Sequence, residues 1–231
     1  MTAQPKSTTH KPKDLGDQER SQRLWAKDRR QQLIFVSAAL IVRDGVDGVR
    51  IPEVAAAAGV TRPVVYKFFP NRHALLVAVL EDFTDALRSQ LRARLVATPP
   101  AGPDRNAEDF QKTVRAFVEV VFDLIDEKGA GGWYLFGAVA PFPELEQTIT
   151  EVRQRMVRPW HRTIAEVTGC TPAMATVLAQ MLVAISRATV QQWIDGAIDR
   201  AGALDALMRG TTAIIAEFTV PPDGTRRRET H

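Results

Sequence analysis

Between Trp25 and Ala97 the apolar residues fall on helical faces. Leu33, Val36, Leu40 and Ile41 repeat at i, i+3, i+7 and i+8, which predicts an amphipathic helix running from about Trp25. The stretch "RDGVDG" (43–48) ends it with Gly45 and Gly48. Ile51, Val54, Ala55 and Ala58 form a second, short stripe that Gly59 stops. A third short helix is predicted from Arg62 to Phe69. Pro70-Asn71 breaks it, and Asn71 suits the N-cap of the next. That fourth helix is long, with Leu76, Val79, Leu80, Phe83, Leu87, Leu91 and Leu95 holding one apolar face to about Ala97.

"TPPAGPD" (98–104) reads as a linker, because its prolines and glycine interrupt any regular hydrogen bonding. Beyond it, helices are predicted near 106–128, 132–138, 143–168, 172–196 and 201–219, separated by turns bearing Gly or Pro. No segment alternates with period two for long, and no internal repeat is visible, so the expected fold class is all-α. The first twenty residues carry Pro5, Pro12 and almost no apolar side chains, and the tail from Pro221 is equally polar. Both are expected to be disordered. The expected organisation is an arm at 1–24, a helical unit at 25–75, a helical body at 76–220 and a tail at 221–231.

Composition narrows the function classes. The 231 residues are 45% hydrophobic and 25% charged, ordinary for a globular chain with enough length to bury a core. A lone Cys170 cannot close an internal disulfide, which points to a reducing, cytoplasmic setting. The first thirty residues are polar and resemble no signal peptide. The longest apolar stretch, 173–186, contains Gln180 and stops at Arg187, short of the about 20 residues a bilayer span needs, so no membrane helix is expected. The four histidines lie far apart without ligand spacing, so no metal or other cofactor is expected. "GAGGWYLFG" (129–137) follows a helix rather than a strand, so a nucleotide-binding glycine loop is rejected. Asp123, Asp126 and Glu127 read as a solvated face rather than an acid/base pair, and no catalytic residue is assigned.

Charge is unevenly placed. Residues 1–95 hold 16 Lys+Arg against 10 Asp+Glu, whereas 96–231 hold 14 against 17. A basic front half on an acidic body suits an anionic partner for the front half alone.

The two short helices and their glycine turn have the form of a helix-turn-helix. Ala55 and Ala58 are small where two helices cross, Gly59 allows the positive φ of a tight turn, and Val60 plugs the space beneath it. Thr61 is the N-cap, Pro63 sits in the first turn where a missing N–H costs nothing, and Val65 and Phe69 face inward. Arg62, Val64, Tyr66 and Lys67 are left for the other side. Such a helix suits the DNA major groove. The helix N-terminus and the Thr61 hydroxyl can hold phosphate, and Arg62 can reach guanine or phosphate. Pro63 and Val64 can touch thymine methyls, while Tyr66 and Lys67 suit backbone oxygens. Arg50, before the second helix, and Arg72, at the start of the fourth, complete the expected DNA contacts. The bland alternative is a pair of packed helices that binds nothing. The basic arm, with Lys6, Lys11, Lys13, Arg20, Arg23 and Lys27, is expected either to add non-specific DNA affinity or to serve as a passive tail.

Residues of about 30–80, "LIFVSAALIVRDGVDGVRIPEVAAAAGVTRPVVYKFFPNRHALLVAVLEDF", resemble the DNA-binding domain of TetR-family transcriptional regulators. Gly59, Val60, Thr61, Tyr66, Phe69 and the helix spacing carry the resemblance together. Three residues depart from the family pattern: Ile41 replaces a usual aromatic, Pro63 a usual Gly or Ala, and Phe68 a commoner polar residue. The resemblance implies a helical C-terminal domain that dimerises and binds a small effector, with effector binding shifting the fourth helix and releasing operator DNA. The leading expectation is a dimeric, ligand-responsive repressor of a palindromic operator; a DNA-binding activator is an alternative that the sequence does not separate, since both begin with the same operator contact. A helical carrier or enzyme without DNA binding is the reading from another class.

Aromatic residues of the body suggest a hydrophobic or aromatic effector, or an acyl chain. Trp133, Tyr134, Phe136, Trp160 and Trp193 are candidate cavity walls, and His161, Gln180 and Arg187 are candidate polar contacts. The last two long helices are expected to form a homodimer through Leu178, Leu182, Ile185 and Thr189, with Ala184 and Ala188 allowing close approach, and through Leu204, Leu207, Thr211, Ile214, Ile215 and Phe218.

Overall fold

A computed structural model describes residues 15–97, 107–137 and 143–220. Among them are nine α-helices and no strand: α1 (Leu15–Gly48), α2 (Ile51–Ala57), α3 (Arg62–Phe68), α4 (Arg72–Ala97), α5 (Ala107–Lys128), α6 (Gly131–Gly137), α7 (Pro143–Thr168), α8 (Pro172–Ile194) and α9 (Arg200–Phe218). The chain is all-α, as its periodicity predicts. The expected linker at 98–104, the tail from Pro221 and the first fourteen residues of the arm lie outside the described residues.

α1 begins ten residues before the predicted start at Trp25. "LGDQERSQRL" lacks proline and is rich in straight-chain residues that lose little rotamer freedom in a helix, so the backbone continues without an apolar stripe to announce it. Part of the arm expected to be disordered is therefore helical. From Leu33 the inward face becomes apolar: Leu33, Ile34, Ala38, Leu40 and Ile41 are buried. Ser37 is buried among them and donates its hydroxyl to the Leu33 carbonyl, 2.7 Å away, which satisfies it inside the helix. The helix bends at Gly45, whose φ of 74° an L side chain would resist.

α2 and α3 close against α1 around Ile51, Val54, Ala55, Ala58, Val65 and Phe69, all buried. At their junction Gly59 takes a φ of 65°, and the Val60 N–H donates to the Ala55 carbonyl at 2.9 Å, closing the C-terminus of α2. Gln32 of α1 donates to the Ala58 carbonyl at 3.2 Å, tying the turn to the first helix. Asn71 caps α4 as expected, its side-chain oxygen accepting from the Ala74 N–H at 2.8 Å.

α4 spans 26 residues, about 39 Å at 1.5 Å per residue, and belongs to both halves of the molecule. Leu75, Leu76, Val79, Leu80, Phe83 and Leu87 are buried, and α4 packs against α1, α5, α6 and α7. The "GAGGWYLFG" segment has a steric explanation. A Cβ on Gly131 would lie 2.2 Å from the Ala38 carbonyl oxygen, and one on Gly132 would lie 2.4 Å from the Phe83 Cβ. Only glycine lets the start of α6 press against α1 and α4 at once.

The acidic cluster at the end of α5 is an ion-pair network. Arg94 of α4 reaches Glu119 at 2.9 Å and Asp123 at 3.1 Å, while Arg200 of α9 pairs with Asp123 and, at 2.6 Å, with Asp126. Nearby, Asp82 of α4 accepts from Lys128 at 2.8 Å and from Gln31 of α1 at 2.9 Å. Exposed pairs of this kind fix orientation more than they add stability.

α8 alone among the described helices has the length and apolarity of a membrane span, because its 23 residues extend beyond the apolar stretch read from sequence. It packs along α7 and α9 and buries Ala175, Leu178, Ala179 and Val190 within the chain. The stripe expected at a dimer interface is largely this intramolecular core. Leu178, Leu207, Thr211 and Ile215 are buried, and Leu182, Ile185, Leu204, Ile214 and Phe218 pack against them. The richest apolar stripe of each helix turns to its own chain. A different face is left outside: Met174, Val177 and Met181 on α8 are exposed, as are Gly202, Ala206, Ala213 and Ala216 on α9.

Candidate nucleic-acid interface and effector cavity

α3 is seven residues long and held from beneath. Val65 is 0% exposed and Phe69 2%, so the rest of the helix must present its other side outward. Arg62, Pro63, Tyr66 and Lys67 are exposed, and Val64 is half-buried at the edge. Thr61 sits at the N-cap in an extended conformation, but its side chain makes no capping bond to α3. Its hydroxyl points to no partner in its own helix and can serve a phosphate, as the sequence suggests. Arg50 is exposed at the N-cap of α2, also extended. No acidic residue interrupts α3, and Glu53 is the sole carboxylate on α2. The surface is therefore basic with an aromatic hydroxyl at its centre, the combination that favours phosphate and base edges together.

Arg72 does not stand ready as the expected phosphate clamp. Its guanidinium donates to the Val46 carbonyl at 2.7 Å and pairs with Asp47 at 3.3 Å. This arginine braces the end of α1 from the start of α4, a long-range pairing that local sequence does not show.

A further residue escapes a reading by stripes. Trp25, half exposed, lies beside the end of α3, its ring 6.5 Å from that of Phe68. The Arg29 guanidinium lies 5.5 Å from the Trp25 ring centroid, and the Lys67 ammonium 5.8 Å. The available signal was an isolated tryptophan in a polar segment together with the unusual Phe68.

In the body, α5, α6, α7 and α8, with Thr211 of α9, line a narrow apolar cavity of about 70 Å³. Three predicted residues meet there: Trp133 and Phe136 from α6 and Trp160 from α7. Phe117 crosses the Trp160 ring edge to face at 5.5 Å, and Trp133 stacks on Phe136 at 5.9 Å. Val114 and Val118 of α5, Met156 and Ile164 of α7, and Leu182 of α8 are among the other apolar residues of the lining; Ser186 and the buried Thr211 are its polar members. Trp133 also touches α4, its ring 6.4 Å from Phe83 at 63°.

The other candidate effector residues fall elsewhere. Trp193, half-buried, packs on Phe122 at 4.6 Å against the core. Tyr134 and Arg187 border a separate groove between α1, α6 and α8. There Arg187 donates to the Gly137 carbonyl and Gln191 lies 3.5 Å from the Tyr134 hydroxyl. Gln180 is exposed on α8, and His161, beside Trp160, lines neither space. One turn of helix separates facing from non-facing neighbours, so adjacency in sequence misleads here. At the end of α6, Arg153 donates to the Phe136 carbonyl at 2.7 Å. Burial holds its guanidinium below the ordinary range; the nearby charge of Glu146 opposes that shift and that of Arg187 adds to it.

Comparison with known proteins agrees with this geometry. Residues 33–79 match the family described as bacterial regulatory proteins, tetR family. The chain is 28% identical over 197 residues to the HTH-type transcriptional activator FasR of Mycolicibacterium smegmatis, covering 85% of each chain. It is 26% identical over 143 residues to the HTH-type transcriptional regulator BetI of Escherichia coli, covering 59% of this chain and 70% of that one. In fold it is similar to a TetR-family transcriptional regulator from Streptomyces coelicolor, with a TM-score of 0.65 at 19% identity over 84% of this chain and 97% of the other. It is likewise similar to the fatty acid degradation regulator FadR of Bacillus halodurans, with a TM-score of 0.61 at 18% identity over 81% and 94%. These relatives are regulators rather than enzymes, and the matched segment is the one that presents α3 outward. Residues 33–79 are therefore a tetR-family DNA-binding segment, and the family match, the curated relatives and the fold together support a TetR-family transcriptional regulator.

Proposed function

We propose that this regulator is a cytoplasmic homodimer whose hold on a palindromic operator is released by an apolar small molecule. Residues 25–75 form the DNA-binding unit and 76–220 the effector and dimer body. Arg50, Thr61, Arg62, Pro63, Val64, Tyr66 and Lys67 are the operator contacts. The observation that carries the reading is Trp133: one residue forms a wall of the apolar cavity and touches Phe83 of α4. A ligand that fits only when Trp133 moves also moves α6, whose glycines rest against Ala38 and Phe83. The ligand's preference for one arrangement over the other then sets the loss of DNA affinity. The lining favours an aromatic compound or an acyl chain, consistent with a structural neighbour named as a fatty acid degradation regulator.

Dimerisation is assigned to the outward faces of α8 and α9, with Met174, Val177 and Met181 packing across a two-fold axis against Ala206 and Ala213. Two recognition helices about one DNA turn apart then read a symmetric site.

Repression is the leading mode. Activation is a second reading, favoured by the name of the mycobacterial relative. One experiment addresses both. The protein is titrated onto the DNA flanking its own gene, with and without fatty acids and aromatic acids that alter its tryptophan fluorescence. Protection of an inverted repeat, released by a bound compound, supports the reading; binding without release overturns the effector mechanism. Transcripts that rise when the gene is deleted indicate repression, and transcripts that fall indicate activation.

A further inference from the structure

The Trp25 cluster has a use that the operator contacts of α3 do not exhaust. Trp25 lies upstream of the apolar stripe of α1, and half of its surface remains in solvent. Its ring packs against Phe68, the residue that departs from the family's polar pattern, so the upstream part of α1 is fastened to the end of the recognition helix. Two cations from different helices, Arg29 of α1 and Lys67 of α3, share the ring. Arg29 is oriented further by its hydrogen bond to Gln32, 2.6 Å. No carboxylate among the described residues pairs with either cation. Like charges gathered around one ring repel each other, and an anion bound beside them offsets that repulsion. The neighbouring α1 positions Arg23, Lys27 and Arg30 continue the positive charge at i, i+4 and i+7.

We propose that Trp25 is a positioning residue for DNA binding: it holds Lys67 and Arg29 together as a phosphate clamp at the junction of α1 and α3. The proposal rests on the assignment of α3 as the DNA-contacting helix. Its partner is the duplex sugar-phosphate backbone, because the clamp offers charge without a base-reading fork from Lys67. Phe68 is explained by the same arrangement, as the apolar floor on which the tryptophan sits.

The test uses the full chain and a fluorescein-labelled duplex carrying the DNA upstream of its own gene, with a random duplex as a second probe. Affinity is measured across a salt series for the wild type, Trp25→Ala, Trp25→Phe, Lys67→Ala and the Trp25→Ala/Lys67→Ala pair. Trp25→Ala is expected to weaken both duplexes by about tenfold and to reduce the salt slope by about one to two. Trp25→Phe should recover most of the affinity, since a ring of either kind can carry the cations. The double variant should be less impaired than the product of the two single effects. A Trp25→Ala protein that melts like the wild type yet binds with unchanged affinity and slope overturns the proposal. So do strictly multiplicative effects in the double variant, or a Trp25→Ala loss that Trp25→Phe fails to recover. If the wild type itself binds neither duplex, the assignment of α3 fails, and the clamp with it.

Discussion

At the scale of single residues, two arginines that look alike in sequence have different surroundings. Arg62 is exposed on α3 with no acidic neighbour on its helix, while Arg72 is occupied with Val46 and Asp47. Arg62→Ala is expected to cost about 1–3 kcal/mol of operator affinity if it meets guanine in bidentate fashion, and to relax the preference at one base pair. Lys67→Ala should instead weaken every duplex alike and flatten the salt slope by at least about one. Binding curves on a set of single-base operator variants separate the two. Arg72→Ala should act on folding, lowering stability by about 1–2 kcal/mol in urea unfolding, because a charged hydrogen bond to a helix-terminal carbonyl is lost. Its salt slope should match the wild type. A variant of normal stability and flattened slope would restore the phosphate-clamp reading of Arg72.

At the scale of elements, α6 links the two halves of the molecule. It is seven residues long, too short to be stable alone, and it is held by what surrounds it. Its first residues rest on α1 and α4, its aromatic residues wall the cavity, and its last carbonyls accept from Arg153 and Arg187. Trp133→Phe keeps an aromatic wall but shortens the reach toward Phe83. The expected result is a protein that binds the same cavity ligand yet loses about 1 kcal/mol of the coupling between ligand and DNA. Operator anisotropy with and without a ligand found by fluorescence measures that coupling. Intact coupling in this variant would show that the signal passes by another route.

At the scale of the whole molecule, the outward stripes of α8 and α9 matter most. Met174, Val177 and Met181 are 38%, 47% and 38% exposed on α8, whose other side buries Ala175, Leu178, Ala179 and Val190. Met181→Glu would place an unpaired charge in the middle of the proposed contact. It should weaken dimerisation by about 3 kcal/mol, roughly a hundredfold, with little effect on the fold of the single chain. Sedimentation should find monomers, and operator binding should lose its two-fold cooperativity. A Met181→Glu protein that stays dimeric would move the interface to another face.

The sequence by itself determined the helical class, the order of the helices and the outward side of α3. Each of these follows from local causes: apolar spacing at i, i+3 and i+4, the positive φ that Gly59 supplies, and the cap formed by Asn71. Helix ends were legible within a few residues except at the start of α1. There the segment is helical through backbone preference, with no apolar stripe in the sequence to mark it. Tertiary structure decided which partner each side chain meets. Trp133 and Trp193 are both aromatic residues on body helices, yet one walls a cavity and the other packs on Phe122. Leu178 and Met181 lie within one turn of α8, yet one is core and the other faces out. Periodicity says that a helix has an apolar side. It does not say which neighbour that side finds, because that depends on helices far along the chain competing for the same surface.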